Sequence, residues 1–517
     1  MNNADSSIGK KVFRGTVIIV LVGILAKIAS FISEAVLAAY LGTTYQSDAF
    51  YMVSSIQNVI FPMMSVGIWK VFLPVYKDKI THKLTDEANA LTNKAISFFS
   101  IISLLAVGLI ILLANPIVSI VAPGFEGDTK TLCIRLVRIA APKYFFIMAA
   151  GIYSAILQAN NKFFGSQIRE VASHIPTILA AIFFYKLFGI DAMAISLVVG
   201  SALRLLVELP FVNWGYKFKP DFKFKTPGFI LILKRLPSAV LSEGVVQLNT
   251  LIDKAMASSL PEGTISGLNY GSKLMNVFSG LLSTAIATAL YPQMIELISL
   301  KKKDELGRLV VKIINIFCIL MIPVTLACFL FRTEFVFVAF QRGSFTEEST
   351  QLTSGIFAFY CIGLFFVASN TVITNLFYGY GNTKTPMYIS VFNLVVNVVL
   401  NIAFIRLWGV NGLALATSLS AIISFFVRIW AVNKYVDLNR KKMLLTFVKI
   451  AFASAISCFT PRIIFWLFPV NKYLVLFVSA PLAILIYLVI IRILKVEEIN
   501  DLLSIAKRKL NRNGTNE

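Results

Sequence analysis

Long apolar stretches separated by short polar ones recur from one end of this chain to the other. Most run for twenty residues or more, the length a helix needs to cross a ~30 Å hydrocarbon layer at ~1.5 Å per residue. Strict alternation of apolar and polar positions, the mark of an outer-membrane barrel, is absent. The pattern predicts about fourteen membrane helices, near 14–41, 47–75, 91–121, 133–158, 165–186, 190–213, 236–259, 264–295, 309–332, 350–379, 384–405, 410–433, 445–468 and 472–494. In lipid every backbone polar group must be satisfied within the protein, so an all-α polytopic membrane fold follows.

Composition agrees. Of 517 residues, 57% are hydrophobic and 14% charged, against ~25% charged in soluble domains. The formal charge of +22 could suggest a nucleic-acid partner, but the basic residues lie in short loops between apolar runs. One alternate set of loops carries Lys77, Lys79 and Lys83, then Lys162 and Arg169, then 217–235, 301–308, Lys384 and 440–442. By the positive-inside rule this set faces the cytoplasm, and an even helix count then places both termini there. The stretch from residue 495 to 517 reads as a basic amphipathic tail on the inner leaflet. Its Asn513-Gly514-Thr515 sequon is then out of reach of glycosylation. The first apolar run is too long for a cleaved signal and is expected to be retained.

No catalytic set emerges. The five cysteines are scattered, mostly within apolar runs, and the two histidines, His82 and His174, have no metal-ligand spacing. Phosphate-binding Gly-Lys-Ser/Thr loops, nucleophile elbows and HExxH are missing. A transporter without a cofactor is the expectation.

The chain also repeats itself. KLFGIDAMAISL (Lys186–Leu197) resembles RLWGVNGLALAT (Arg406–Thr417). Leu37–Gly42 pairs with Met256–Pro261, Asn58 with Asn276, and Pro74 with Pro292, at an offset of about 218–220 residues. Two six-helix lobes, 1–215 and 225–436, are expected about a pseudo-two-fold axis along the membrane normal. Helices 13 and 14 (440–494) follow, and then the tail.

One element stands out, Leu260–Pro292, where Lys273 lies roughly 10–15 Å below the helix start. A midplane cation costs ~2.5–3.5 kcal/mol on insertion scales, so it should face protein or water. Ser272 and Asn276 accompany it. In the first helix Lys27 lies at similar depth, with Ser30 and Glu34 on its face. Asp48, Ser55 and Asn58 mark the second helix. Lysines here suit an anionic, phosphate-bearing substrate, with the acids offsetting charge when the cavity is empty; internal Lys–Glu pairing without a ligand is the alternative. A second group, Asp253, Asn397, Asn401 and Thr417, could hold a hard cation such as Na⁺. Asn and Thr are also common interhelical hydrogen-bond partners, and Asp253 could pair with Lys254.

LNYGSKLMNVFSGLLSTAIATALYP, FQRGSFTEEST (Phe340–Thr350), the SDAFYM around Asp48 and the LGTT–SDAF–LPVY frame together resemble the MurJ/MviN lipid II flippases. That family belongs to the superfamily of multidrug, oligosaccharidyl-lipid and polysaccharide exporters. The resemblance covers nearly the whole chain. It implies two six-helix lobes around a cationic cavity and a groove for the lipid tail at the last two helices. The substrate it implies is undecaprenyl-pyrophosphate-linked peptidoglycan precursor, lipid II, turned from the inner to the outer leaflet by alternating access. The family's cavity arginines fall here on Lys27 and Lys273. Its helix-2 aspartate is kept as Asp48, its helix-2 arginine falls on Phe61, and Ser33 replaces a further arginine. A carrier of another undecaprenyl-linked oligosaccharide is the alternative, then a cation-coupled multidrug antiporter; from another class, a scaffold recruiting cell-wall enzymes. Resetting of the carrier is expected to use Na⁺, H⁺ or the membrane potential.

Overall fold

The computed structural model describes residues 3–212, 216, 218–467, 471–496 and 498, without the side chains of 3–20, 60–67, 238–239, 241–243, 245–246, 281–289 and 291–292. Every described element is helical. The first part of the chain forms α1 (Asn3–Leu41), α2 (Tyr45–Thr81), α3 (Thr85–Leu112), α4 (Ala114–Val121), α5 (Gly127–Ala140), α6 (Lys143–Ala159) and α7 (Phe163–Leu179). A π-helical turn, Ala180–Phe184, leads into α8 (Tyr185–Phe188), α9 (Ile190–Val212) and α10 (Pro227–Ala257). Then come α11 (Thr264–Ser299), α12 (Lys303–Leu330), α13 (Arg332–Phe340), α14 (Glu347–Ile362), α15 (Leu364–Gly379), α16 (Lys384–Val432), α17 (Arg440–Leu467) and α18 (Lys472–Ile493).

The described residues of the fourteen expected stretches are mostly helical. Among the described residues, eight helices are long and apolar enough to cross a membrane, and two bent pairs raise that to ten. Differences from expectation lie at breaks. The stretches 91–121 and 309–332 are not single rods: they break at Leu113 and Phe331, and short helices α4 and α13 follow. The stretches 133–158 and 350–379 are each two helices, α5–α6 bent by 42° and α14–α15 by 43°. Periodicity cannot show such bends, because both arms remain apolar.

A bend frees backbone groups that lipid cannot satisfy, and side chains from neighbouring helices take them up. At the α5–α6 bend, beside Pro142, Gln57 Nε2 donates to the Ala140 carbonyl at 3.2 Å and Lys143 Nζ donates to Gln57 Oε1 at 3.0 Å. At the α14–α15 bend, Gly363 N donates to Ser418 Oγ at 3.2 Å, and Ser418 Oγ donates to the Phe359 carbonyl at 2.7 Å.

The repeat is visible in the backbone. Gly189, between α8 and α9, has φ 58° and ψ −144°; its counterpart in the sequence repeat, Gly409, has φ 54° and ψ −132° inside α16. Both values are costly for a residue with a Cβ, so glycine at both places keeps the same sharp turn. In α16 that turn separates the stretches expected at 384–405 and 410–433.

By packing, the chain divides into two compact units: Met1–Asn269 with Arg342–Ser349, and Tyr270–Gln341 with Thr350–Glu517. The division runs through α11, and α10 packs against α2 within the first unit. The first unit's core gathers Phe72, Phe99, Ile152, Phe229 and Ile232. In the second, Ile319, Ile450, Ala453, Tyr487 and Ile491 pack together, and Tyr487 donates to the Ile319 carbonyl at 2.7 Å. Large apolar side chains such as Leu105, Phe183, Leu407 and Phe477 remain exposed, as lipid-facing positions require. Of the tail expected at 495–517, Val496 and Glu498 pack into the second unit, Glu498 accepting from Asn315 Nδ2 at 2.7 Å; residues 499–517 lie outside the described residues.

Candidate functional site

Within the first unit, two carboxylates cap two helices reciprocally. Asp48, in the first turn of α2, is buried. Its Oδ2 accepts from Gly263 N at 2.8 Å and its Oδ1 from Ser266 N at 2.7 Å. These amides open α11 and have no partner inside the helix. Glu262, just before α11, returns the arrangement: Tyr45 N, which opens α2, donates to Glu262 Oε1 at 2.6 Å. Each anion also sits at the positive end of the other's helix. Tyr45 and Gly263 occupy equivalent places in the sequence repeat, so the pair of caps follows its pseudo-symmetry.

Two loops complete this junction with the same symmetry. Gly124 N donates to Ser258 Oγ at 3.0 Å, just past the end of α10. Ser344 N donates to the Ala39 carbonyl at 2.7 Å, near the end of α1. A Cβ at Gly124 would lie 2.4 Å from the Ser258 carbonyl oxygen, and one at Gly343 would lie 2.2 Å from that of Ala39. Both loops therefore need glycine for close backbone approach. Thr43 Oγ1 and Ser349 Oγ share a hydrogen bond of 2.7 Å.

A polar chain runs inward from the caps. Asn269 Nδ2 donates to Glu34 Oε1, and Lys254 Nζ donates to Asn269 Oδ1 at 3.3 Å. The same ammonium stands 5.7 Å from the centre of the Tyr51 ring. Glu34, Asp253 and Lys254 are all buried. Neutralisation and hydrogen bonding make such burial tolerable, and they hold α1, α10 and α11 in one register.

The remaining expected residues are placed as follows. Lys27 is exposed on α1 and Ser30 half-buried. Ser55 is buried and its hydroxyl donates to the Tyr51 carbonyl at 2.8 Å, within its own helix. Asn58 and Asn276 are exposed, whereas Ser272 and Lys273 are half-buried. Lys27, Ser30, Glu34, Asp48, Ser55, Asn58 and Asp253 belong to the first unit; Ser272, Lys273, Asn276, Asn397, Asn401 and Thr417 belong to the second. There, Asn401 Nδ2 donates to Asn397 Oδ1 at 3.0 Å, and Asn397 Nδ2 to Thr417 Oγ1 at 3.4 Å, joining the two arms of α16. Asp253 lies in the first unit and this trio in the second. Among the described residues no cluster of three or more His, Cys, Asp or Glu side chains could hold a metal ion.

Several residues escaped the pattern. Glu262 and the glycines at 124 and 343 lie in loops whose partners are far away in sequence. Arg169, counted with the loop charges, lies inside α7 and pairs with the fully buried Glu208 of α9 at 3.2 Å. Arg204 and Glu170 join the same cluster. Acidic residues inside apolar stretches, such as Glu208, were the signal that could have revealed it.

Known proteins place this geometry in a family. The chain matches the family profile described as lipid II flippase MurJ over residues 37–484. It is 27% identical over 413 residues to a protein of Buchnera aphidicola subsp. Baizongia pistaciae named "Probable lipid II flippase MurJ", covering 79% of this chain and 80% of that one. A lipid II flippase MurJ from Burkholderia cenocepacia is 25% identical over 422 residues, covering 78% and 80%. Among solved structures, a lipid II flippase MurJ in an inward closed conformation superposes with a TM-score of 0.82 at 25% identity, over 94% of this chain and all of that one. A multidrug resistance MATE family transporter of the MOP superfamily, inward-facing, shares the fold at a TM-score of 0.64 and 15% identity, over 79% and 95% of the two chains.

Proposed function

Since the chain belongs to the lipid II flippase MurJ family, a family of transporters and not enzymes, we propose that its own substrate is an undecaprenyl-pyrophosphate-linked peptidoglycan precursor, moved from the inner to the outer leaflet by alternating access. The observation that carries the mechanism is the reciprocal capping of α2 and α11 by Glu262 and Asp48. Five groups from both sequence repeats meet there, Tyr45 N, Asp48, Glu262, Gly263 N and Ser266 N, which supports reading this junction as the outer gate in its closed state. Opening it breaks three charge-assisted hydrogen bonds together, which makes the gate two-state instead of gradually deformable.

In this reading Lys27 and Lys273 engage the pyrophosphate, each as a point charge on a solvated path. Ser30, Ser272 and Asn276 add hydrogen bonds to it. The polyprenyl tail stays in lipid beside α17 and α18. The Glu34–Asn269–Lys254 chain links substrate depth to the gate, because Asn269 lies one helical turn before Lys273 on α11. Resetting draws on a cation at the Asn397–Asn401–Thr417 group, or on the membrane potential, worth ~2.3 kcal/mol per charge at 100 mV. The positive-inside bias of the loops supports cytoplasmic termini.

The test is complementation in a bacterium depleted of its own lipid II flippase, with lipid II assayed at the outer surface. Wild type restores surface lipid II; Lys27→Ala and Lys273→Ala each lower it at equal membrane expression. If both variants transport like wild type, the cationic binding role is wrong. If wild type itself fails despite correct insertion, another undecaprenyl-linked glycan is the substrate, and a host lacking a capsule or O-antigen flippase becomes the assay.

A further inference from the structure

The second unit contains an open groove that transport of a head group does not use. It encloses about 420 Å³ between α12, α15, the second arm of α16 and the start of α17. Its walls are aromatic: Phe365, Phe366, Phe425, Phe426 and Phe447, with Trp430 at the rim. The rings brace one another, Phe366 with Phe425 at 5.5 Å and Phe365 with Phe447 at 6.1 Å between centres. Neighbouring side chains therefore hold the groove open, and its volume is in the range of small-molecule sites.

One end of the groove is charged. Arg440, the first residue of α17, lines it. Lys441 and Lys442 follow in the same turn, and that turn contains no acidic residue. The amides of this turn are engaged, Arg440 N donating to the Leu438 carbonyl at 2.8 Å and Lys442 N to Asn439 Oδ1 at 2.9 Å, and Lys442 Nζ lies 4.0 Å from Glu498, so the positive potential here comes from the side chains of Arg440 and Lys441. An apolar slot ending at an arginine has the complementarity of an amphiphile with a long chain and a phosphate head. Trp430, largely exposed beside it, is the side chain expected at the membrane–water boundary.

We propose that this groove is a binding site for an anionic phospholipid of the surrounding leaflet, with one acyl chain between Phe366, Phe426 and Phe447 and the phosphate on the Arg440 guanidinium. Binding there ties α17 to α12 and α16 and sets the position of the last two helices. Lipid charge would then tune the transporter independently of its substrate.

Trp430 supplies the readout. The protein is reconstituted in phosphatidylcholine vesicles containing phosphatidylglycerol with brominated acyl chains, or brominated phosphatidylcholine at the same mole fraction. Trp430→Phe identifies the part of the fluorescence that belongs to this side chain. The expected result is stronger quenching of Trp430 by the anionic lipid. In Arg440→Gln its apparent affinity falls about tenfold, the loss expected for one charge-assisted hydrogen bond. Unchanged quenching by phosphatidylcholine in that variant shows the groove intact. Equal quenching by the two lipids in wild type, or anionic quenching indifferent to Arg440→Gln, overturns the site. Displacement of the brominated phospholipid by stoichiometric undecaprenyl phosphate overturns it too, by assigning the groove to a polyprenyl chain.

Discussion

Replacing Asp48 with Asn tests the proposed closed gate directly. The substitution keeps size and burial but removes the charge, and one of its two heads becomes a donor facing another donor. One of the two bonds, from Gly263 N at 2.8 Å or Ser266 N at 2.7 Å, is lost and the other becomes neutral. Hydrogen bonds to charged groups contribute ~1.5–3 kcal/mol and neutral ones about 1, so the junction loses about 2–5 kcal/mol. At ~1.4 kcal/mol per factor of ten, the equilibrium between closed and open gate shifts about 30- to 4,000-fold toward open. Thr43 Oγ1 and Ser349 Oγ, 2.7 Å apart, provide the sensor. In a background without the five native cysteines, a Thr43→Cys/Ser349→Cys pair should cross-link rapidly under mild oxidant. Adding Asp48→Asn should slow cross-linking by at least tenfold, while helical content and the thermal transition in detergent persist. Glu262→Gln should act in the same direction and more weakly, since it caps with a single bond. Cross-linking in Asp48→Asn as fast as in the parent pair would refute the reasoning, because the caps would then not control the gate.

Gly343→Ala should weaken the same junction: its Cβ would meet the Ala39 carbonyl oxygen at 2.2 Å, and φ +57° already disfavours alanine. A loss of roughly 1–3 kcal/mol is expected, read as a lower midpoint in thermal unfolding and slower cross-linking of the Thr43/Ser349 pair. Arg169→Met should leave Glu208 buried without its 3.2 Å partner and cost about 3–5 kcal/mol, whereas Arg169→Met with Glu208→Gln should recover much of it; a double-mutant cycle on the thermal transition decides. Asp221 holds the segment between the repeats to α3, where Lys94 Nζ lies 2.9 Å from its Oδ2. The Lys223 amide and then Lys94 hold its carboxyl below the usual range. A depressed carboxylate stabilises the fold in full above its unfolded value, ~pH 4, and ceases to as pH falls through the folded value. The thermal advantage of wild type over Asp221→Asn should therefore be present at neutral pH and vanish on acidification, as paired melts across pH would show.

What the amino-acid order determined by itself was the solvent and the periodicity. Apolar runs of spanning length admit only helices in lipid, so the helical class and the approximate segments could be read without a partner in view. The repeat was equally legible, because Gly189 and Gly409 are required by a local backbone conformation that repeats with the sequence. Lys27, Glu34, Asp48 and Lys273 stood out for a related reason: a charge in an apolar run is anomalous whatever it touches.

Only the tertiary structure decided what Asp48 and Glu34 hold. Asp48 finds its donors in the chain's second repeat, and nothing in its own neighbourhood names Gly263 or Ser266. Glu262 looks like an ordinary loop acid until the start of α2 lies against it. The bends at Pro142 and Gly363 depend on whether Gln57 and Ser418 are near enough to satisfy the freed backbone. Hydrophobic pattern is a property of each residue and its near neighbours, whereas a cap or a bend is a relation between groups tens to hundreds of residues apart, and only packing brings them within hydrogen-bonding distance.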